Sequence, residues 1–347
     1  MRFKPSFLLI LQRSMKKIVL SRTDNLGDVV LTLPLAGLLK KQYPQAEIIF
    51  LGKKYTEAII KSSKNIAVFL DREEVINSPD LLKNLQADVI IHVFPDKEIA
   101  KAAKKASIPL RIGTSHRLFH YIYCNKLVNF SRKKSDLHEA QLNCKLAEPL
   151  GIQIPSLAEM PSYYGMEATQ KTDINLNKNK FNLILHPKSK GSAREWPLAH
   201  FESLIKELPQ DLFDIYITGT EKEGQLIKQQ QPSIFNYTNV TDLTGKFSLE
   251  GLINFINQAD GLVACSTGPL HIAAALGKYA CGIYPPMKPV HPGRWAPLGK
   301  KAIYLVLQKN CSDCKKSMNC VCIQSILPKQ ILEVANQWNK VRIGETV

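Results

Sequence analysis

Acidic residues are scarce in this sequence. Its 347 residues include 30 Asp and Glu against 46 Lys and Arg, a formal charge of +16. That deficit points to polyanionic partners: nucleic acid, an anionic membrane face or phosphorylated substrates. A soluble protein with a solvated basic surface has the same count. Long apolar runs are also missing. The longest nearly apolar stretch, Val29 to Leu39, is 11 residues and is interrupted by Thr32, Pro34 and Gly37. A membrane-spanning helix needs about 20 such residues. Phe7 to Leu11 is too short for a secretory h-region. No Gly-x-Gly-x-x-Gly follows the first strand, which weakens an NAD-type reading, and no Gly-x-Ser-x-Gly elbow occurs. No Asp-x-Asp occurs either, so a metal–diphosphate bridge lacks obvious ligands.

What is present is ordinary globular composition, 45% apolar and 22% charged, in a chain long enough for two domains. Continuous apolar runs such as Ile18–Ser21, Glu47–Leu51 and Asp88–Val93 alternate with helical stretches. This is the pattern of parallel sheets covered on both faces. Residues 152–180 are rich in Pro, Ser, Asn and Lys and break the alternation, which restarts at Phe181–His186 and runs to Ala280–Tyr284. The expected organisation is an extension over 1–14, one α/β domain over 15–165, a second over 166–327 carrying a Cys-rich loop at 311–322, and a closing helix over 328–347. Residues 117–135 are basic, and Phe119, Tyr121 and Tyr123 alternate as in a half-buried strand.

Three loops after strands carry candidate chemistry. In Arg22-Thr23-Asp24-Asn25-Leu26-Gly27-Asp28, Gly27 permits a tight turn into a helix. Asp28 then stands at the helix start, either as a general base or as a cap against the helix dipole. Lys188, Ser189, Lys190, Gly191, Ser192 and Arg194 put three cations and two hydroxyls within seven residues, which suits a diphosphate or a plain solvated loop. Ser266-Thr267-Gly268-Pro269-Leu270-His271 ends a strand and opens a helix whose N–H groups suit an anion. His271 either reaches that anion or packs in the helix.

Taken in order, R-T-D-N-L-G-D-V-V-L-T-L-P at 22–34, H-P-K-S-K-G-S-A-R-E-W-P at 186–197, D-L-T-G-K-F-S-L at 242–249 and S-T-G-P-L-H-I-A-A-A-L-G at 266–277 resemble glycosyltransferase family 9, the lipopolysaccharide heptosyltransferases. The resemblance covers nearly all of the chain from Met15. It implies a GT-B fold: two Rossmann-like domains facing a cleft, with the acceptor on the N-terminal one and the nucleotide-sugar on the C-terminal one. It implies metal-independent, inverting transfer from ADP-L-glycero-D-manno-heptose to a lipid A/Kdo-type acceptor, with no further cofactor. The protein would then work in the cytoplasm, peripheral to the inner membrane face, and bind no nucleic acid.

By the same resemblance Asp28 falls on the family's basic aspartate, and Arg22, Asp24, Asn25 and Gly27 lie on the acceptor side. Lys188, Ser189, Lys190, Arg194, Gly219, Gly245, Ser266, Thr267, Gly268, Pro269 and His271 fall on the donor side. Either Glu221 or Glu223 falls where the ribose hydroxyls are bound. The family usually has Asp-Thr-Gly where this chain has Ser266-Thr267-Gly268, which leaves the donated sugar open. Two alternatives stand beside this reading: a nucleic-acid-binding protein using 117–135, and a nucleotide-sugar epimerase of paired α/β domains.

Eight cysteines complete the inventory. Those at 124, 144, 265 and 281 are scattered and read as reduced cytosolic thiols. Cys311, Cys314, Cys320 and Cys322 cluster. A structural role is expected first, as thiols or a local disulfide, and zinc second, because the one-residue spacer between Cys320 and Cys322 is tighter than a common zinc knuckle.

Overall fold

The computed structural model describes residues 15–168, 170, 172–308, 311 and 320–344. The chain divides into two compact units between Glu167 and Ala168. The extension at 1–14 and Cys314 lie outside the described residues.

The first unit holds a six-stranded parallel sheet ordered β3-β2-β1-β4-β5-β6. Its strands are β1 (Lys17–Ser21), β2 (Glu47–Gly52), β3 (Val68–Asp71), β4 (Val89–His92), β5 (Leu110–Thr114) and β6 (Lys126–Val128). The central strand β4 is buried at every position, as a sheet covered on both faces requires. Helices that position the site are α1 (Leu26–Val30), α2 (Leu33–Gln42), α3 (Lys97–Lys105), α4 (Leu118–Tyr123) and α5 (Glu139–Lys145). One side of the sheet packs through Val19, Ile49, Leu51 and Ile90 against Val75, Leu82, Ile99 and Ala103. Gly37 of α2 lies so close to the next layer that a Cβ there would stand 2.1 Å from the Tyr163 carbonyl oxygen.

The second unit repeats the plan. Its strands are β7 (Phe181–His186), β8 (Phe213–Ile217), β9 (Val240–Asp242), β10 (Gly261–Cys265), β11 (Tyr279–Tyr284) and β12 (Ala302–Val306). They are all parallel, in the order β12-β11-β10-β7-β8-β9. Counted from its own first strand this is the same 3-2-1-4-5-6 order as in the first unit, the Rossmann arrangement. Its helices include α6 (Leu198–Glu207), α7 (Glu221–Gln230), α8 (Leu249–Gln258), α9 (Gly268–Ala275) and α10 (Pro328–Arg342). Ser248 caps α8 by accepting from the Gly251 N–H. The last helix, α10, packs on α6, and its Ile331, Ala335 and Trp338 join the core of this unit with Phe181, Trp196 and Phe201.

Several elements differ from the sequence expectations. Residues 118–123 are helix and not a strand. Helix α5 stops at Lys145, and a 3₁₀ turn, Glu148–Leu150, carries Pro149, which cannot donate to a helical ladder. Gly151 follows in the left-handed conformation at φ 76°. β6 and β12, both outermost, were not predicted. Residues 163–167, which span the expected domain boundary at 165/166, are all tied to the first unit: Lys64 N donates to Gly165 O, Glu167 N to Ser62 O, and Met166 bridges Ser63.

Candidate active site

In a parallel sheet the carboxyl ends of the strands face the loops that bind ligands. In the first unit β1 ends at Ser21 and passes straight to Arg22. Arg22 is buried to 3% exposure yet keeps four side-chain partners. Its Nε donates to Asp24 at 2.6 Å, its Nη1 to Glu139 at 3.1 Å and to Asn143 at 3.0 Å, and its Nη2 donates to the Asp28 carboxylate. Arg132, from the loop after β6, donates to the same Glu139 oxygen at 3.0 Å, to Asn143 at 3.1 Å and to the Val93 carbonyl at 3.1 Å. Asn143 in turn donates to Leu31 O at 3.0 Å, fixing α5 beneath the end of α1.

Asp28 sits in the first turn of α1, but Asn25 occupies the cap position, so Asp28 does not serve as the N-cap. Burial is the largest influence on its carboxyl group and raises its pKa. The Arg22 guanidinium lowers it, Asp24 and Glu139 raise it again, and the result is about 6. Burial works against the Arg22 charge, but Asp28, Asp24 and Glu139 outweigh it and raise its pKa, so the guanidinium stays protonated. The outcome is a carboxylate more basic than usual, oriented by a fixed cation. Of the residues expected on the acceptor side, Asn25 is exposed, while Arg22 is buried and committed to holding carboxylates. Glu139, Asn143 and the position of Arg132 were not foreseen. Arg22 and Glu139 are 117 residues apart, and no local pattern joins them.

In the second unit the residues expected on the donor side gather at one sheet edge. β7, β8 and β10 are neighbours, and the loops after them begin at Pro187, Thr218 and Ser266. The loop after β7 turns through Lys190 and Gly191, both left-handed at φ 49° and 78°. It is tied down where Trp196 N donates to Cys265 Sγ at 3.2 Å and the Trp196 indole to Ile326 O at 2.7 Å. Its three cations are not equivalent. Lys188 pairs with Glu195 at 2.9 Å, Lys190 is exposed and Arg194 is half-buried. Ser189 donates to Glu195 through both its N–H and its hydroxyl. His186, at the end of β7, lies 2.9 Å from the Thr218 hydroxyl, and burial lowers its pKa to about 4 against the opposing pull of Glu223 and Glu195.

The two glutamates after Gly219 separate cleanly. Glu223 is buried and closes a capping box on Thr220, accepting its N–H at 2.7 Å and its hydroxyl at 2.8 Å. Glu221 is exposed at the helix start. Gly245, left-handed at φ 73°, lies where a Cβ would come within 3.0 Å of the Glu221 Cβ. At α9, Pro269 lies in the first turn and Thr267 at the cap position makes no side-chain capping bond. The buried Thr267 hydroxyl has no hydrogen-bond partner among the described residues. Ser266 interacts with the Tyr284 phenol, and His271 is buried.

Comparison with known proteins decides the family. Residues 81–322 match the profile of glycosyltransferase family 9 (heptosyltransferase). The chain belongs to that family.

This family-9 chain is therefore a glycosyltransferase, which sets aside the binding-protein alternative. A Haemophilus influenzae relative with a general glycosyltransferase name is 26% identical, over 93% of this chain and 98% of its own. Lipooligosaccharide heptosyltransferase 2 of Haemophilus ducreyi is 23% identical, over 84% and 88%. The structure of the Escherichia coli ADP-heptose lps heptosyltransferase II superposes with a TM-score of 0.75 at 19% identity, over 95% of this chain and all of that one (100%). The fold is accordingly GT-B.

Cys320 and Cys322 are buried in the same core as Trp196, and Cys311 packs against it. Among the described residues no group of three or more His, Cys, Asp or Glu is placed to hold a metal.

Proposed function

We propose that this family member transfers a heptose from a nucleotide-diphosphate donor to a lipopolysaccharide-core type acceptor, with inversion and without a metal, Asp28 acting as the general base. The observation that carries the reading is Asp28 itself, a carboxylate near the carboxyl end of β1 whose pKa is raised to about 6. Such a group is ionised at neutral pH and still basic enough to take a proton from an attacking hydroxyl. In the proposed step the acceptor oxygen attacks the anomeric carbon from the face opposite the diphosphate. Its proton passes to Asp28, and the bond to the diphosphate oxygen breaks with its electron pair. Lys190, Arg194 and the α9 N-terminus neutralise the departing diphosphate. Glu221, and not the capping Glu223, is the carboxylate available to the ribose hydroxyls.

The donor and acceptor follow from the relatives' names and from the +16 charge, which suits a phosphorylated glycolipid at the cytoplasmic membrane face. Ser266 removes a charge expected beside the sugar, so ADP-, GDP- and UDP-sugars are to be compared directly. Incubating the purified chain with each donor and a Kdo–lipid A acceptor, with EDTA present, should give a heptosylated product from ADP-heptose with inverted anomeric configuration by NMR. Exclusive use of another donor would overturn the heptose assignment. Activity lost to EDTA and restored by magnesium would overturn the metal-free step.

A further inference from the structure

Helix α4 is inside out. Leu118, Tyr121 and Ile122 stand at i, i+3 and i+4, the spacing that normally turns a helix face to the core. Here they are 88%, 61% and 60% exposed. The opposite face carries the packing. His120 is buried with its Nδ1 2.9 Å from Thr114 O, Phe119 meets the His120 ring edge-on, and Cys124 is buried. Cations dominate the segments that flank the exposed face. Lys101, Lys104 and Lys105 of the neighbouring α3 are exposed, as are Arg117, Lys133 and Lys134. Lys104 donates to the Ile122 carbonyl at 3.0 Å, which places it at the rim of the patch. From Lys97 to Lys134 the sequence has ten Lys and Arg and one acidic residue, Glu98.

We infer that the α4 face and its lysine rim form a docking surface for an anionic phospholipid bilayer. Apolar side chains ringed by cations bury into the interfacial region while the cations meet lipid phosphates. No helix among the described residues is long and apolar enough to cross a membrane, so the contact is interfacial. Two other occupants fit less well. Single-stranded nucleic acid needs successive aromatic platforms. Here Leu118 and Ile122 offer no stacking face, and Phe119 turns inward against His120. A second copy of the chain would bring the two lysine rims together.

The surface also lies well for the proposed reaction. α4 follows the carboxyl end of β5, on the same sheet edge as the Asp28 loop. The segment after β6 returns through Arg132 to Glu139 of the Arg22 network. Docking there holds that edge against the leaflet in which a lipid-linked acceptor sits. The purpose of the surface rests on the glycolipid acceptor proposed above, but its detection does not.

The test is co-sedimentation of the full chain with vesicles of phosphatidylcholine alone and of an equimolar phosphatidylcholine–phosphatidylglycerol mixture. The wild type should favour the anionic vesicles about tenfold and lose that preference at high salt. Leu118→Asp with Ile122→Asp, and separately Lys101→Gln with Lys104→Gln and Lys105→Gln, should each weaken sedimentation about tenfold. Both sets should leave transfer to a detergent-dispersed acceptor unchanged. No preference for anionic vesicles, or full binding by both variants, overturns the proposal. So does retention on single-stranded DNA that vesicles fail to displace, or a dimer abolished by the Leu118/Ile122 variant. Vesicle binding without any transfer would leave this surface standing and remove the functional reading. Transfer without vesicle binding would do the reverse.

Discussion

At the scale of single residues, the informative feature is one guanidinium shared by three carboxylates. Burial raises the Asp28 pKa most, Arg22 draws it back towards ionisation, Asp24 and Glu139 oppose Arg22, and the result is about 6. The transfer rate should therefore fall on the acid side with a limb near pH 6, as the base becomes protonated. Removing the opposing charge by Glu139→Gln should move that limb to lower pH, which a pH–rate profile reads directly. A limb unmoved by the substitution would mean that Glu139 does not set the basicity of Asp28. The same shift has a stability consequence. The folded pKa of about 6 lies above the ordinary 3.8, so ionised Asp28 costs stability that builds up as pH rises from 3.8 through 6. Asp28→Asn should thus melt no lower than the wild type at pH 8, and higher if Arg22 stays paired with Asp24 and Glu139. A drop of several degrees would show that the ion pair is a net stabiliser. None of this was legible in the sequence beyond Asp28 and Arg22. Glu139 and Asn143 lie 117 and 121 residues from Arg22, and only the folded sheet brings them beneath it.

Among elements, the central strands were readable because burial on both faces demands unbroken β-branched and apolar runs, as in Ile18–Ser21 and Phe181–His186. The outer strands were not. β6 has only three residues, and β12 is partly exposed, so neither needs a continuous apolar run. α4 misled for a different reason. Phe119, Tyr121 and Tyr123 alternate as in a strand, yet its apolar helical face points to solvent, so neither period matched a buried side. Close packing is sharpest at Gly37, where α2 meets the Tyr163 carbonyl. Gly37→Ala would place its methyl group 2.1 Å from that oxygen. The backbones must separate, at about 1–3 kcal/mol. Thermal denaturation should show a Tm several degrees lower; an unchanged Tm would mean that α2 shifts without cost. The motifs of the second unit were legible as loops after strands, because glycines and cations cluster there. What the sequence left open was which polar groups the fold itself uses. Glu223 is taken up by a helix cap and Lys188 by Glu195, and only coordinates distinguish them from Glu221 and Lys190.

For the molecule as a whole, the two units repeat one topology, yet their sheet edges carry different chemistry. The first presents a basic carboxylate on a buried cation. The second presents exposed and half-buried cations, a left-handed turn and a helix N-terminus. The proposed base and the proposed donor loops thus belong to separate units, which makes their contributions separable by substitution. Asp28→Asn, examined for both turnover and donor binding, is the most direct measurement. Its kcat should fall by about 10²–10⁴. Its nucleotide-sugar Kd should stay within about twofold, because a transition-state proton transfer is lost and no donor contact. Near-normal turnover by this variant would remove Asp28 as the base and place it elsewhere, with Asp24 the next carboxylate on the same loop.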